Sequence, residues 1–533
     1  MSPTPDDPQR RTLLRTGALC TLAAGLAGAL PAAARGLPSP IARLRSGKVA
    51  GQTEHGIHAF RGIPYGGDTA ARRFQHALPE TPWRGVRDAL DYGPSAPQSG
   101  AEAPGSEDCL YLNVWTPALR DGGKRPILFY IHGGAYNNGS GSDALYDGGN
   151  LCRRGDVVVV TVNHRLNLFG YLHLAQLGGA AFADSGNVGQ LDLVQALHWV
   201  QQHADEFGGD AGNITVFGQS GGGAKIATLM AMPAAKGLFH KAWTMSGQQV
   251  TAAGPRAATQ RAQLVLDHFK ASPETLRTLP LEKLLEALKI RDPSRVENTA
   301  LYLGPVLDGR HLPAHPFWPE APAQSAGVPM VIGNTRDETR AFLGNDPANS
   351  ALDWATLPAK LEAQQYVDLP PAQVIAEYRR LYPHYTPSEV FFAATTAGRS
   401  WRGAVEELEA RARQGAPTWA YQLDWYDHDG QWEPLRAHHT LDIPLVFDNL
   451  RQPGSRTGSS AQAQQVAAQM SGALLAFART GDPNHAGLPG WERYSLPRRQ
   501  TLLFADDSQQ TDDPRGGERR LYQQAPFIQR GTF

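Results

Sequence analysis

The chain has 533 residues, 41% of them hydrophobic, with 11 Trp, 16 Tyr and 18 Phe, a composition that excludes intrinsic disorder. Lys and Arg number 50 against 51 Asp and Glu, a formal net charge of -1, so nothing points to electrostatic capture of nucleic acid or an anionic membrane. Length alone implies two or three domains, because single cores stop growing at roughly 250–300 residues.

Near the start of the chain stand Gln9-Arg10-Arg11-Thr12-Leu13-Leu14-Arg15, the apolar run TGALCTLAAGLAGAL and then Pro31-Ala32-Ala33-Ala34. A basic start, a short apolar middle and an A-x-A site are the parts of a secretory signal, and paired arginines mark the twin-arginine kind. The apolar run is shorter than the roughly 20 residues that span a bilayer. Residues 1–34 are therefore expected to be a twin-arginine-type signal peptide, residues 35–533 the folded domain, and the protein periplasmic or secreted. Leu19 precedes Cys20, where a lipoprotein signal takes a small residue. Cys109 and Cys152 remain after cleavage; they build no metal cluster, and they are expected to be free, buried thiols.

Between Gly51 and Asp91 the stretches GIHAFRGIPY and PWRGV read as short strands and turns, suited to an antiparallel sheet edge. LYLNVWTP alternates before a proline stop. PILFYI, after Arg125, and VVVVTVNHRLN, after Asp156, are unbroken apolar runs of the kind found in parallel strands covered on both faces. Gln190–His203 places Leu191, Val194, Leu197 and Val200 at helical spacing. Ile214–Gln219 is a further strand, Ser220 follows it, and a helical pattern follows Ser220. Residues 256–292 and 370–382 read as inserted helices, suited to a lid or pocket wall. Val328–Gly333 and Thr418–Trp425 read as strands, and QAQQVAAQMSGALLAFART as a helix whose Met and Phe are core. The alternation of strands and helices is that of an α/β sheet.

Gly218-Gln219-Ser220-Gly221-Gly222 stands between strand and helix, the context of a nucleophile elbow. Small residues are needed there because the turn is tight and Ser220 must project its hydroxyl above the sheet. A serine hydroxyl is a poor nucleophile until a base takes its proton and a carboxylate fixes that base. In α/β-hydrolases these parts come in the order Ser, acid, His. Ser220, Glu338 and His439 fit that order, but Asp337 and His438 fit it equally. His132-Gly133-Gly134-Ala135 ends a core strand with small residues and supplies amides for an oxyanion hole, with a further one from Gly221.

The chain resembles the type-B carboxylesterases, the family of bacterial para-nitrobenzyl esterases and cholinesterases. The likeness runs through GIHAFRGIPY, SEDCLYLNVWTP, IHGGAYNNGSG, VVVVTVNHRLNLFGYL, GNVGQLDLVQALHWV, FGGDAGNITVFGQSGGG, KGLFHKAWTMSG, GPVLDGRHLP, GNTRDETRAF, HHTLDIPLVFDN and FARTGDPN. It implies one α/β-hydrolase domain in place of the two or three that length suggests. That domain has a large, mostly parallel central sheet flanked by helices, helical insertions forming the pocket wall and a small antiparallel N-terminal edge. It assigns the nucleophile to Ser220, the acid to Glu338 rather than Asp337, the base to His439 rather than His438, and the oxyanion donors to Gly134, Ala135 and Gly221. It also implies the ion pairs Arg73–Glu107 and Arg165–Asp192. Gln219 and Gly221 stand where many members carry Glu and Ala, Ala135 replaces the third glycine, Thr339 replaces the glycine after the acid, and Ala96 leaves Cys109 without the usual disulfide partner.

The expected function is hydrolysis of small-molecule carboxylic esters through an acyl-enzyme, with no metal or organic cofactor, no nucleic-acid partner and no stable membrane insertion after signal cleavage. Alternatives are the same mechanism on amides, lactones or thioesters, or a non-catalytic binding protein on the same fold. Because His439 must be neutral to accept a proton, activity is expected to rise from mildly acidic toward neutral pH.

Overall fold

The apolar runs become strands of a single eleven-stranded sheet in the computed structural model of the chain. The structure describes residues 39–294 and 299–532; the expected signal peptide 1–34, with Cys20, lies outside them. In chain order the strands are β1 (Gln52–Glu54), β2 (Ile57–Pro64), β3 (Tyr111–Thr116), β4 (Arg125–Ile131), β5 (Val158–Val162), β6 (Gly209–Gln219), β7 (Lys241–Met245), β8 (Met330–Thr335), β9 (Thr418–Leu423), β10 (Gln500–Phe504) and β11 (Gln509–Asp512). Across the sheet they run β11, β10, β9, β8, β7, β6, β4, β5, β3, β2, β1.

From β10 to β5 every pairing is parallel. Antiparallel strands close both edges: β11 at one, and β3, β2 and β1 at the other. A separate small sheet pairs Ile41–Arg43 antiparallel with Lys48–Ala50, and the latter parallel with Val86–Asp88. The N-terminal edge is thus antiparallel as expected, except in that last pairing.

The strands are apolar at successive positions because both faces are covered. In β4, Ile127, Phe129 and Ile131 pack into one core, together with Leu191 and Leu197 of helix Val188–His203 and Ile226 of helix Gly221–Ala231. The intervening Leu128 and Tyr130 enter the opposite core, with Leu474 and Phe477 of helix Ala461–Thr480. Side chains alternate across a strand, so an unbroken apolar run feeds two cores.

Prolines account for several departures from the expected boundaries. The stretch read as 256–292 is broken into Pro255–Phe269, Pro273–Thr278, Leu281–Leu285 and the 3₁₀ turn Glu286–Lys289, with Pro273 and Pro280 at the breaks. Pro329 likewise stands outside β8, which starts at Met330. Among the described residues no helix is long and apolar enough to cross a membrane.

Both expected ion pairs are present, Arg165–Asp192 fully buried and Arg73–Glu107 partly so. The Arg165 guanidinium grips Asp192 at 2.6 and 2.8 Å, and Arg73 meets Glu107 at 2.6 Å. Cys109 and Cys152 are free and buried, and burial pushes both thiols up, away from reactive thiolate.

Candidate active site

The sheet's strand order reverses at β4. The chain passes from β4 to β5 on one side and returns to β6 on the other, so the loops after β4 and β6 meet at the carboxyl ends of neighbouring strands. Open α/β sheets bind ligands at such a switch point.

Ser220 sits at the turn from β6 into helix Gly221–Ala231 with φ 54° and ψ -125°. This backbone is costly for a residue with a side chain, on the order of 1–3 kcal/mol. The fold holds it from both sides. The Ser220 N–H donates to the Met245 carbonyl at 2.7 Å, and its own carbonyl accepts from the Ala224 N–H at 3.1 Å. A Cβ at position 222 would stand 1.9 Å from the Ile131 carbonyl oxygen, so only glycine lets the helix follow so closely. The Ser220 hydroxyl has no hydrogen-bond partner among the described residues, and Ser220 lines a cavity of about 400 Å³.

Glu338 and His439 line the same cavity. Glu338 follows β8 and is buried; its Oε1 accepts from the Thr335 N–H at 2.9 Å and from Asn334 Nδ2 at 3.2 Å. Its Oε2 accepts a short hydrogen bond from His439 Nδ1. Burial pushes the Glu338 carboxyl up, but the charge and hydrogen bond of His439 and the Thr335 amide outweigh it and hold the group below its ordinary value. The neighbouring residues turn elsewhere. Asp337 pairs with Arg340 at 3.3 Å, and His438 donates from Nδ1 to the Arg436 carbonyl at 3.0 Å. Burial also pushes His438 down to about 4. Of the two adjacent pairs that chain order left open, it is Glu338 and His439 that meet.

His439 makes one contact that motif reading missed. The side-chain amide nitrogen of Gln219 lies 3.1 Å from Nε2 and 3.5 Å from Nδ1, astride the imidazole, while the Phe342 ring lies 4.9 Å away, centroid to centroid. The residue before Ser220 therefore touches the ring that Glu338 holds. Gln219 was visible in sequence as a departure at the elbow, but not its reach toward residue 439.

The amides of Gly134, Ala135 and Gly221 donate to no acceptor among the described residues. Gly134 and Ala135 both have positive φ, 84° and 52°. The Ala135 main chain crowds the start of the helix: a Cβ at position 221 would stand 2.1 Å from its carbonyl oxygen. Beneath this loop lies a second residue that the motifs did not single out. Lys225, buried on helix Gly221–Ala231, donates from Nζ to the His132 carbonyl at 3.2 Å and stands 5.6 Å from the Tyr136 ring centroid. Burial pulls this amine down to about 7. The signal was a lone lysine in an otherwise apolar helix, AKIATLMAM.

Helical insertions do wall the cavity, through Phe342 on the turn Arg340–Leu343 and through the π-helical turn Ala397–Trp401. The helices expected within 256–292 and 370–382 contribute no lining residue. Their apolar faces are spent on packing, Leu266, Leu276 and Leu284 in one cluster, Val374 and Tyr378 in another.

A family model described as the carboxylesterase family matches residues 38–521. The para-nitrobenzyl esterase of Bacillus subtilis is 36% identical over 488 residues, covering 89% of this chain and 96% of that protein. The phenmedipham hydrolase of Pseudarthrobacter oxydans is 33% identical over 495 residues, covering 88% and 95%. Among solved structures, a Geobacillus stearothermophilus carboxylesterase superimposes with a TM-score of 0.80 at 38% identity, covering 90% of this chain and 99% of that one.

Proposed function

The chain belongs to the carboxylesterase family, and from that membership we propose that its ester hydrolysis runs through Ser220, His439 and Glu338. It is a carboxylic ester hydrolase. The observation that carries the residue assignment is the Glu338–His439 hydrogen bond on the wall of the cavity that Ser220 also lines.

In this reading the Ser220 oxygen attacks the ester carbonyl carbon while Nε2 of His439 takes the hydroxyl proton. Gln219 yields its place beside Nε2 as the substrate seats. The Glu338 carboxylate holds the Nδ1–H and offsets the imidazolium charge. The carbonyl oxygen, now negative, is met by the amides of Gly134, Ala135 and Gly221. Such donors are each worth about 10²–10³ in turnover. Collapse expels the alcohol, which takes the proton back from His439, and leaves the acyl group on Ser220. Water then repeats the sequence with the same base and releases the acid. The strained φ of Ser220 and the undonated amides support this reading, because both are arranged before substrate arrives.

A fluorophosphonate probe tests it. Ser220 is expected to carry the label, and Ser220→Ala is expected to abolish both labelling and hydrolysis of a nitrophenyl ester. Labelling at another serine would overturn the assignment.

Export is proposed from the Arg10-Arg11 segment and the A-x-A site ending at Ala34. Changing Arg10→Lys with Arg11→Lys is expected to leave uncleaved protein in the cytoplasm, and unchanged export would remove the proposal.

A further inference from the structure

The cavity wall opposite the motifs carries charge that the hydrolytic machinery does not use. Arg399 lies on the π-helical turn Ala397–Trp401, which interrupts the run between helices Pro387–Thr396 and Arg402–Gln414. π turns inside helices concentrate at functional sites, because the extra residue re-aims side chains at a cost to the helix. Here the turn lies hard against the loop before it: a Cβ at position 398 would stand 2.0 Å from the Gln365 carbonyl oxygen. The next residue of that loop, Tyr366, is held at φ 51°.

Arg399 stacks on Tyr366 with its guanidinium 4.6 Å from the ring centroid, and Arg530 takes the same ring at 4.7 Å. All three residues line the cavity. Arg399 Nη2 donates to the Tyr366 hydroxyl at 3.0 Å and to Gln364 Oε1 at 3.1 Å. Its Nε is buried with no acceptor, and among the described residues no carboxylate pairs with it. Burial, with Arg530 as a neighbouring like charge, pulls the Arg399 guanidinium below its ordinary value. Arg399 is half-buried and no carboxylate among the described residues pairs with it, which is unfavourable unless something else supplies the anion.

The wall also sits close to the reacting groups. Ser400, the next residue, accepts from Asn334 Nδ2 at 2.8 Å, and the same nitrogen donates to Glu338 at 3.2 Å.

We propose that Arg399, braced by Tyr366 and flanked by Arg530, is a carboxylate-binding subsite of the catalytic cavity, so that this enzyme's preferred substrates are esters bearing an anionic carboxylate. The guanidinium carries planar, directional donors suited to a carboxylate. The inference rests on Ser220 being the nucleophile in the same cavity. The carboxylate is carried either on the acyl part, as in a half-ester of a dicarboxylic acid, or on the alcohol part, as in an acylated hydroxy acid.

The test compares length-matched pairs of substrates on the purified enzyme. One arm sets mono-nitrophenyl esters of succinic, glutaric and adipic acid against their methyl-capped counterparts. The other sets acetylated hydroxy acids against the corresponding methyl esters. In one arm kcat/KM is expected to favour the anionic member by about tenfold or more, mainly through KM. Arg399→Gln is expected to collapse that ratio, and Arg399→Lys to restore part of it. Free glutarate is expected to inhibit the wild-type enzyme competitively, and dimethyl glutarate much less, a readout that needs no variant. Equal rates within every pair, with no inhibition by glutarate, would overturn the subsite while leaving the esterase reading intact. No turnover of any ester and no label on Ser220 would instead sink the reading beneath it.

Discussion

The amide nitrogen of Gln219 lies 3.1 Å from Nε2 of His439, the imidazole nitrogen not occupied by Glu338. The residue before Ser220 thus touches the imidazole proposed as general base, and it does so with a neutral side chain. A carboxylate at that position would favour the imidazolium, whereas an amide does not. Gln219→Glu is expected to move the acid limb of the kcat/KM profile to higher pH by about one unit, the direction an added anion within 4–6 Å imposes. Profiles of wild type and variant on one neutral nitrophenyl ester check this, and superimposable limbs would refute it.

The close approach of Ala135 to Gly221 makes a second expectation. Gly221→Ala puts a Cβ where the Ala135 carbonyl oxygen and Cα already stand, 2.1 and 2.5 Å away. The loop must retreat, and at least one amide leaves the oxyanion. The expected result is a fall in kcat of about 10²–10³ with little change in KM. Adding Ala135→Gly is expected to recover part of the loss, since glycine relieves the strain at φ 52° and lets the loop resettle.

Lys225 bears on the same loop from beneath. Its Nζ donates to the His132 carbonyl, which opens the His132–Ala135 segment. Lys225→Met keeps the length and apolar stem but removes that donor. Turnover is expected to fall about tenfold, while fluorophosphonate labelling of Ser220 persists. Unchanged kcat in a folded variant would show that the lysine only fills space.

Buried Glu407 supplies a pH-dependent stability term. Burial raises its carboxyl from the ordinary 4.5 to about 8, against the Gln249 N–H, which donates to Oε1 at 2.7 Å. The folded protein therefore keeps a proton that the unfolded chain has already released. The stability this contributes is fully present below about pH 4.5 and is lost as pH rises to about 8. Glu407→Gln removes the titration, so the melting temperature of the variant is expected to gain on wild type between pH 5 and pH 8. A difference that stays constant across that range would rule this out.

Much of the molecule was legible because its signals are local. An apolar run of five or six residues must be covered on both faces, and β4 and β5 are covered in that way. The prolines that divide 256–292 are equally visible, and Pro273 and Pro280 stand where that stretch breaks into shorter helices. Chain position points the inserted helices to the pocket, but their apolar stripes are consumed by their own clusters. The Arg399–Tyr366 stack had no motif at all: the two residues are 33 apart, and they meet only because a π turn packs against an intervening loop.

From its residues alone the chain determined the succession of its strands and helices, the glycine-framed serine and the family of its chemistry, since periodicity, turn size and matching blocks are properties of short stretches. Tertiary packing decided which of two adjacent acids and which of two adjacent histidines face each other, and what charge lines the cavity. Neighbouring side chains leave the backbone in different directions. Only the surrounding fold turns Glu338 toward His439 while sending Asp337 to Arg340 and His438 to a main-chain carbonyl.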